Sequence, residues 1–283
     1  MRKVLLATTA LVAVGGITAA NADISISGNY EWEYVTNDAG TTFGDDGHIN
    51  ITAVNAADNG TTWTAKSVLT NNSSATVNME AAYVQVEGDF GRIVFGDMDD
   101  SAASAMDGAL GANNDIETQG TLGDAATAIG AAGTDIAYFS PNLSGFQIGF
   151  SKDLTDADND ATDGESDIGV TYSMGGASAY YGSEGDSRNF GVKGAMAGFT
   201  VAVGNMSTSG TQRKANDVAV KYTLANGITV AALSANGTSD AGVKAKASNV
   251  GVSYTLVPGV KLNAESGKLD AANYTWVAVN MSF

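Results

Sequence analysis

The chain has no cysteine, two prolines and one histidine in 283 residues. Without cysteine there can be no disulfide, thiolate metal site or thiol nucleophile, so an exported chain must be held by its own architecture. A lone histidine, His48, gives poor support to a zinc site or a Ser-His-Asp triad. Bases are scarce as well: 14 Lys and Arg stand against 31 Asp and Glu, for a net charge of −17. Nucleic acid needs a basic face, and this balance argues against it as a partner. Past the N-terminus no apolar run is long enough for a spanning helix. The 35 glycines fall at turns and within strands, with no phosphate-cradling motif among them.

The first 22 residues differ from the rest. Arg2 and Lys3 form a short basic region, residues 4–16 are almost wholly apolar, and Ala20-Asn21-Ala22 supplies small residues for cleavage. This predicts a secretory signal peptide over 1–22, with the mature chain starting at Asp23. Its removal leaves twelve bases against 31 acids, a net charge of −19.

From Asp23 onward apolar and polar residues alternate. Ile24, Ile26, Tyr30, Trp32 and Tyr34 share one parity, while Ser25, Ser27, Asn29, Glu31 and Glu33 share the other. The pattern returns at Ile168, Val170, Tyr172 and Met174, at Val218, Val220, Tyr222 and Leu224, and at Val250, Val252, Tyr254 and Leu256. Such period-two runs are strands with one apolar face. Tyr30, Trp32, Tyr34, Tyr83, Tyr138, Phe146, Phe150, Tyr172, Tyr222 and Tyr254 mostly read as lipid-facing girdle residues near strand ends. Tyr274 and Trp276 fall on the inward parity instead.

The connections carry a second rhythm. Short ones are expected at 55–60, 88–91, 141–145, 175–176, 197–198, 225–227 and 257–259. Longer polar stretches are expected at 37–47, 70–75, 97–134, 153–165, 182–188, 207–216, 235–246 and 266–273. Alternating short and long connections divide the chain into sixteen antiparallel strands. Short turns on one side and long loops on the other are the habit of outer-membrane barrels, which close because hydrocarbon cannot satisfy a free sheet edge.

Two hairpins and the C-terminus carry a resemblance. Tyr83-Val84-Gln85-Val86-Glu87-Gly88-Asp89-Phe90-Gly91-Arg92-Ile93-Val94-Phe95-Gly96-Asp97 resembles the strand–turn–strand of general bacterial porins that leads into their third loop. Asp135-Ile136-Ala137-Tyr138-Phe139-Ser140-Pro141-Asn142-Leu143-Ser144-Gly145-Phe146 resembles the hairpin that follows it. Terminal Phe283, after apolar residues at alternate positions, is similar to the signature read by the barrel assembly machinery. The resemblance spans the mature chain and is of the alphaproteobacterial type. It implies an all-β, 16-stranded antiparallel transmembrane barrel over 23–283 with an inward-folded third loop over 97–134. It also implies a homotrimer in the outer membrane, in contact with lipid and lipopolysaccharide, that passes ions and small hydrophilic solutes passively without catalysis.

In that family acids on the third loop face bases on the opposite wall. The corresponding acids here are Asp97, Asp99, Asp100, Asp107, Asp115, Glu117 and Asp124, and the candidate wall bases are Lys66, Arg92, Lys193, Lys221 and Lys261. Asp100 is the expected N-cap of a short helix over 101–110. No dense arginine cluster is evident, so the expectation is a weak to moderate cation preference. His48 is expected at the start of the second strand, as a pore-rim or loop residue. Asp156, Asp158 and Asp160 alternate as calcium ligands do, but Ala161 and Asp167 stand where an EF-hand needs Gly and Glu. Loose calcium binding to that outer loop is the remaining cofactor expectation. The competing reading is a secreted or surface β-rich adhesin without channel activity.

Overall fold

The computed structural model describes residues 22–72, 77–98, 101–107, 134–154, 164–208, 214–238 and 244–283. Sixteen strands follow in order: β1 (Asp23–Asn37), β2 (Gly40–Ala56), β3 (Thr62–Asn72), β4 (Asn78–Gly88), β5 (Gly91–Asp97), β6 (Ile136–Phe139), β7 (Phe146–Lys152), β8 (Ser166–Met174), β9 (Ala177–Glu184), β10 (Ser187–Met196), β11 (Phe199–Thr208), β12 (Lys214–Thr223), β13 (Thr229–Thr238), β14 (Lys244–Val257), β15 (Val260–Leu269) and β16 (Ala272–Ser282). One helix, α1 (Ala102–Asp107), lies between β5 and β6. Every strand pairs with its sequence neighbours, and β1 pairs antiparallel with β16, closing the sheet into a barrel.

Alternation decides which way each side chain points. Ile24, Ile26, Trp32 and Tyr34 on β1, Phe146 and Phe150 on β7, Val201 and Val203 on β11, and Val250, Val252 and Tyr254 on β14 are all exposed. An apolar exterior of this extent is foreign to a soluble β-sandwich and suited to lipid. The opposite parity carries polar groups such as Asn29, Asn189, Asn249, Asn263 and Glu265. It also carries a buried apolar cluster on β11–β14: Ala202, Met206, Ala215, Ala219, Leu233, Ala235 and Ala247.

The closing seam between β1 and β16 is extended by the last residue. Gly28 N donates to Phe283 O at 2.9 Å and Phe283 N donates to Gly28 O at 3.0 Å. The Phe283 ring lies over Gly28, where a Cβ would meet the ring at 2.7 Å and His48 O at 2.5 Å. Gly28 is therefore needed for close approach, and the pair occupies the outward parity shared with Tyr30 and Met281.

All seven short connections fall where the sequence predicts them, at the end of the barrel that holds the start of β1 and the end of β16. Gly91, in the β4–β5 turn, adopts φ +102°, and a Cβ there would stand 2.2 Å from Phe139 O. Three of the eight expected long connections are corrected. Strands run to within two residues of each other at Asn37/Gly40, Glu184/Ser187 and Leu269/Ala272. The polar stretches at 37–47, 182–188 and 266–273 therefore belong largely to strands. Strand ends beyond the apolar band face water on both sides, so their polarity carries no loop signal.

Candidate functional site

The inner face of β6–β9 is shaped to receive α1. Gly149, Gly169 and Gly182 are register partners across β7, β8 and β9, giving a row without side chains. A Cβ on Gly169 would meet Ala102 O at 2.8 Å, and one on Gly149 would meet Met106 Sδ at 2.6 Å. Ala102, Ala103 and Met106 are buried against this row, with Val94, Ala137, Phe139 and Tyr180 around them.

Polar contacts fix the helix start. Ser104 N donates to Ser101 Oγ at 3.1 Å, so Ser101 is the N-cap, worth about 1 kcal/mol. Ser101 Oγ donates to Glu184 Oε2 at 2.6 Å, Ala102 N donates to Ser151 Oγ at 2.7 Å, and Tyr180 OH donates to Ala103 O at 2.6 Å. The expected cap Asp100 is thus corrected to Ser101, with the described part of the helix over Ala102–Asp107; Asp100 and 108–110 lie outside the described residues. Both residue types can cap; what selects Ser101 is its second partner, the wall carboxylate Glu184. Glu184 also belongs to a group with Glu165 and Asp167, whose ligand-type oxygens lie within 4.8 Å of one another. Ser151 Oγ donates to Asp167 Oδ2 at 3.1 Å.

Across from α1, β2–β5 form the other wall of a cavity of about 390 Å³. Its lining includes Asn29, His48, Lys66, Glu80, Tyr83, Arg92, and Met98 and Ala105 from the segment that carries α1. Arg92 lies over the Phe139 ring, 4.0 Å from its centre. Tyr83, expected on the lipid side, faces this cavity instead. Its register partner is Lys66, and the side-chain period of two places both on the inner face. His48 sits in the middle of β2 rather than at a rim, with Nε2 3.0 Å from Glu80 Oε2 and Nδ1 3.8 Å from Asp46 Oδ2. A bulge aims Glu80 there: Val68 pairs Ala81 and Leu69 pairs Met79, so Glu80 and Ala81 both reach the cavity.

The expected site residues are distributed unevenly. Lys66 and Arg92 meet in the cavity, and among the described residues neither has a carboxylate within ion-pairing distance. Lys193, Lys221 and Lys261 fall on the inward parities of β10, β12 and β15, away from the cavity lining. Asp97 closes β5 on the outward parity of Ile93 and Phe95. Asp107 ends α1. Asp99, Asp100, Asp115, Glu117, Asp124, Asp156, Asp158 and Asp160 lie outside the described residues.

Strand acids that the sequence reading did not single out also face inward. Trp276 Nε1 donates to Glu33 Oε2 at 2.9 Å, Asn280 Nδ2 donates to Glu31, and Tyr274 OH donates to Glu265. This explains the inward aromatics: Tyr274 and Trp276 hold wall carboxylates in place. The signal was present in the alternation, since Glu31 and Glu33 share the polar parity of a strand whose other face is apolar.

A family model described as Gram-negative porin matches residues 7–274. No curated protein sequence gives a match. Among solved structures, a mutant of Rh. blastica porin superposes with a TM-score of 0.76 at 18% identity, over 92% of this chain and 100% of that one. The in-vitro folded trimer form of OmpT, an outer membrane protein of Vibrio cholerae, gives 0.75 at 13% identity, over 93% and 99%. At these identities the superpositions show the fold, and the family match shows the kinship. With a closed sixteen-stranded barrel, a lipid-suited exterior and a charged inner wall, the chain belongs to the Gram-negative porins, channels of the outer membrane.

Proposed function

We propose that this protein is a general diffusion porin with a modest preference for cations. The observation that carries the reading is the open, polar cavity between α1 and the β2–β5 wall, with no catalytic constellation beside it among the described residues. Passive diffusion needs only a fixed opening and a field, and both are properties of side chains held on rigid strands. Three inward carboxylates, Glu31, Glu33 and Glu265, sit on β1 and β15, and Glu165, Asp167 and Glu184 lie beside α1. The inward bases are few and spread over five strands. A mature net charge of −19 supports the same sign.

The proposed assembly is a homotrimer in the outer membrane, exported with residues 1–22 as a removable signal and folded by machinery that reads Phe283. Lipid and lipopolysaccharide meet its exterior. The acids of 97–134 add negative charge to the opening in this proposal, with Lys66 and Arg92 opposite. Diffusion calls for no cofactor; loose calcium at Asp156, Asp158 and Asp160 is proposed only as a bridge that relieves repulsion within an acidic loop.

Swelling of liposomes that hold the refolded protein tests diffusion directly. Neutral sugars should enter at rates that fall steadily with size and rise linearly with concentration. Saturating uptake of one sugar, or no swelling, would contradict a general pore.

A further inference from the structure

We propose that His48 makes the ion preference of the pore depend on pH. The inference rests on the pore reading and assigns a residue to its regulation. His48 is the only histidine of the chain, and imidazole is the side-chain type that ordinarily changes charge between about pH 5 and pH 8. It lies in the cavity wall rather than at the exterior, with its side chain 23% exposed and that of Glu80 25% exposed. Both ring nitrogens are engaged: Nε2 with Glu80 at 3.0 Å, and Nδ1 with Asp46 at 3.8 Å and Asn29 Nδ2 at 3.4 Å.

The charges facing it are nearly balanced. β2 contributes Asp46, β3 Lys66, β4 Glu80 and the phenol of Tyr83, and β5 Arg92. On β1, Glu31 is the register partner of Asp46 and is tied to Asn280. α1 presents Ala105, which is uncharged. Lys66 and Arg92 thus offset two of the three carboxylates Asp46, Glu80 and Glu31 while the imidazole is neutral. A proton on His48 adds one positive charge to a wall that ions must pass. In an aqueous pore a unit charge some 8 Å from the path, screened over one Debye length, shifts the local concentrations of cations and anions by about 1.4-fold in opposite directions, and so their ratio by about twofold.

The test is the reversal potential of the refolded protein in planar bilayers under a KCl gradient, from about pH 8 to about pH 5.5. The wild type should lose about half of its cation-to-anion permeability ratio on acidification. His48→Gln should start at the high-pH ratio and show less than half of the wild-type shift, and His48→Lys should start near the low-pH ratio and shift as little. Conductance in all three shows that the pore is intact and separates this proposal from the pore reading. A wild-type ratio that does not change with pH, or an unaltered shift in His48→Gln, would overturn the role of His48. No conductance from any of the three would overturn the pore reading and this proposal with it.

Discussion

Replacing Gly169 with leucine should loosen α1 from the inner wall and turn a quiet channel into a noisy one. The helix packs on a row of glycines across β7, β8 and β9, and even a Cβ on Gly169 would stand 2.8 Å from Ala102 O and 3.2 Å from Ala103 Cα. Both are backbone atoms, so no rotamer change relieves the contact. Overpacking of this kind costs about 1–3 kcal/mol, which lowers the docked population of the helix by roughly 5–150-fold. Three hydrogen bonds depend on docking: Ser101 to Glu184, Ala102 to Ser151, and Tyr180 to Ala103. Gly169 does not adopt a positive φ, so β8 can keep its pairing with β7 and β9, and the variant should keep the wild-type barrel stability while its single-channel current breaks into substates. Quiet recordings at wild-type conductance would mean that α1 does not depend on this row of glycines.

A charge on the outer face should be far more costly than the same charge on the inner one. Val218 lies mid-strand in β12, exposed on the outward parity, with Val203 of β11 as its register partner. Val218→Lys should cost about 2–4 kcal/mol, because the ammonium must leave water or deform the bilayer. Gln85 sits in β4 on the inward parity of Tyr83, where a lysine reaches the water-filled lumen. Gln85→Lys should stay within about 0.5 kcal/mol of wild type. Denaturant unfolding in lipid vesicles measures both. Equal losses at the two positions would invalidate the assignment of outer and inner faces on which the pore lining depends.

The strands were legible because lipid on one side and water on the other impose a period of two. Runs such as Val250, Val252, Tyr254 and Leu256 announce themselves for that reason. Short turns were legible as well, since their glycines and prolines answer to local backbone geometry. The hairpins at Asn37/Gly40, Glu184/Ser187 and Leu269/Ala272 were not, because a strand that projects beyond the bilayer is polar on both faces. Tyr83 was misread for a related reason: an aromatic ring can serve a lipid girdle or a lumen wall, and only its register against Lys66 decides between them.

The pore lining was harder to read than the barrel. Acids were sought in the third loop, where family resemblance directs attention, while Glu31, Glu33 and Glu265 stand on the wall itself. Lys66 and Arg92 were named separately, but their meeting opposite α1 depends on four strands being paired in register. His48 was placed near a rim because long polar flanks suggested a loop. Its approach to Glu80 comes from a bulge in β4, and one extra residue in a strand leaves no mark on an alternating pattern that short.

The most direct test of the central claim is the reversal potential of the wild-type protein in a planar bilayer at neutral pH under a KCl gradient. A water-filled barrel with inward carboxylates and scattered bases predicts ohmic, stepwise conductance and a reversal potential on the cation-selective side of zero. Stepwise conductance with a reversal potential on the anion-selective side would contradict the charge account, and a bilayer that never conducts would contradict the pore itself.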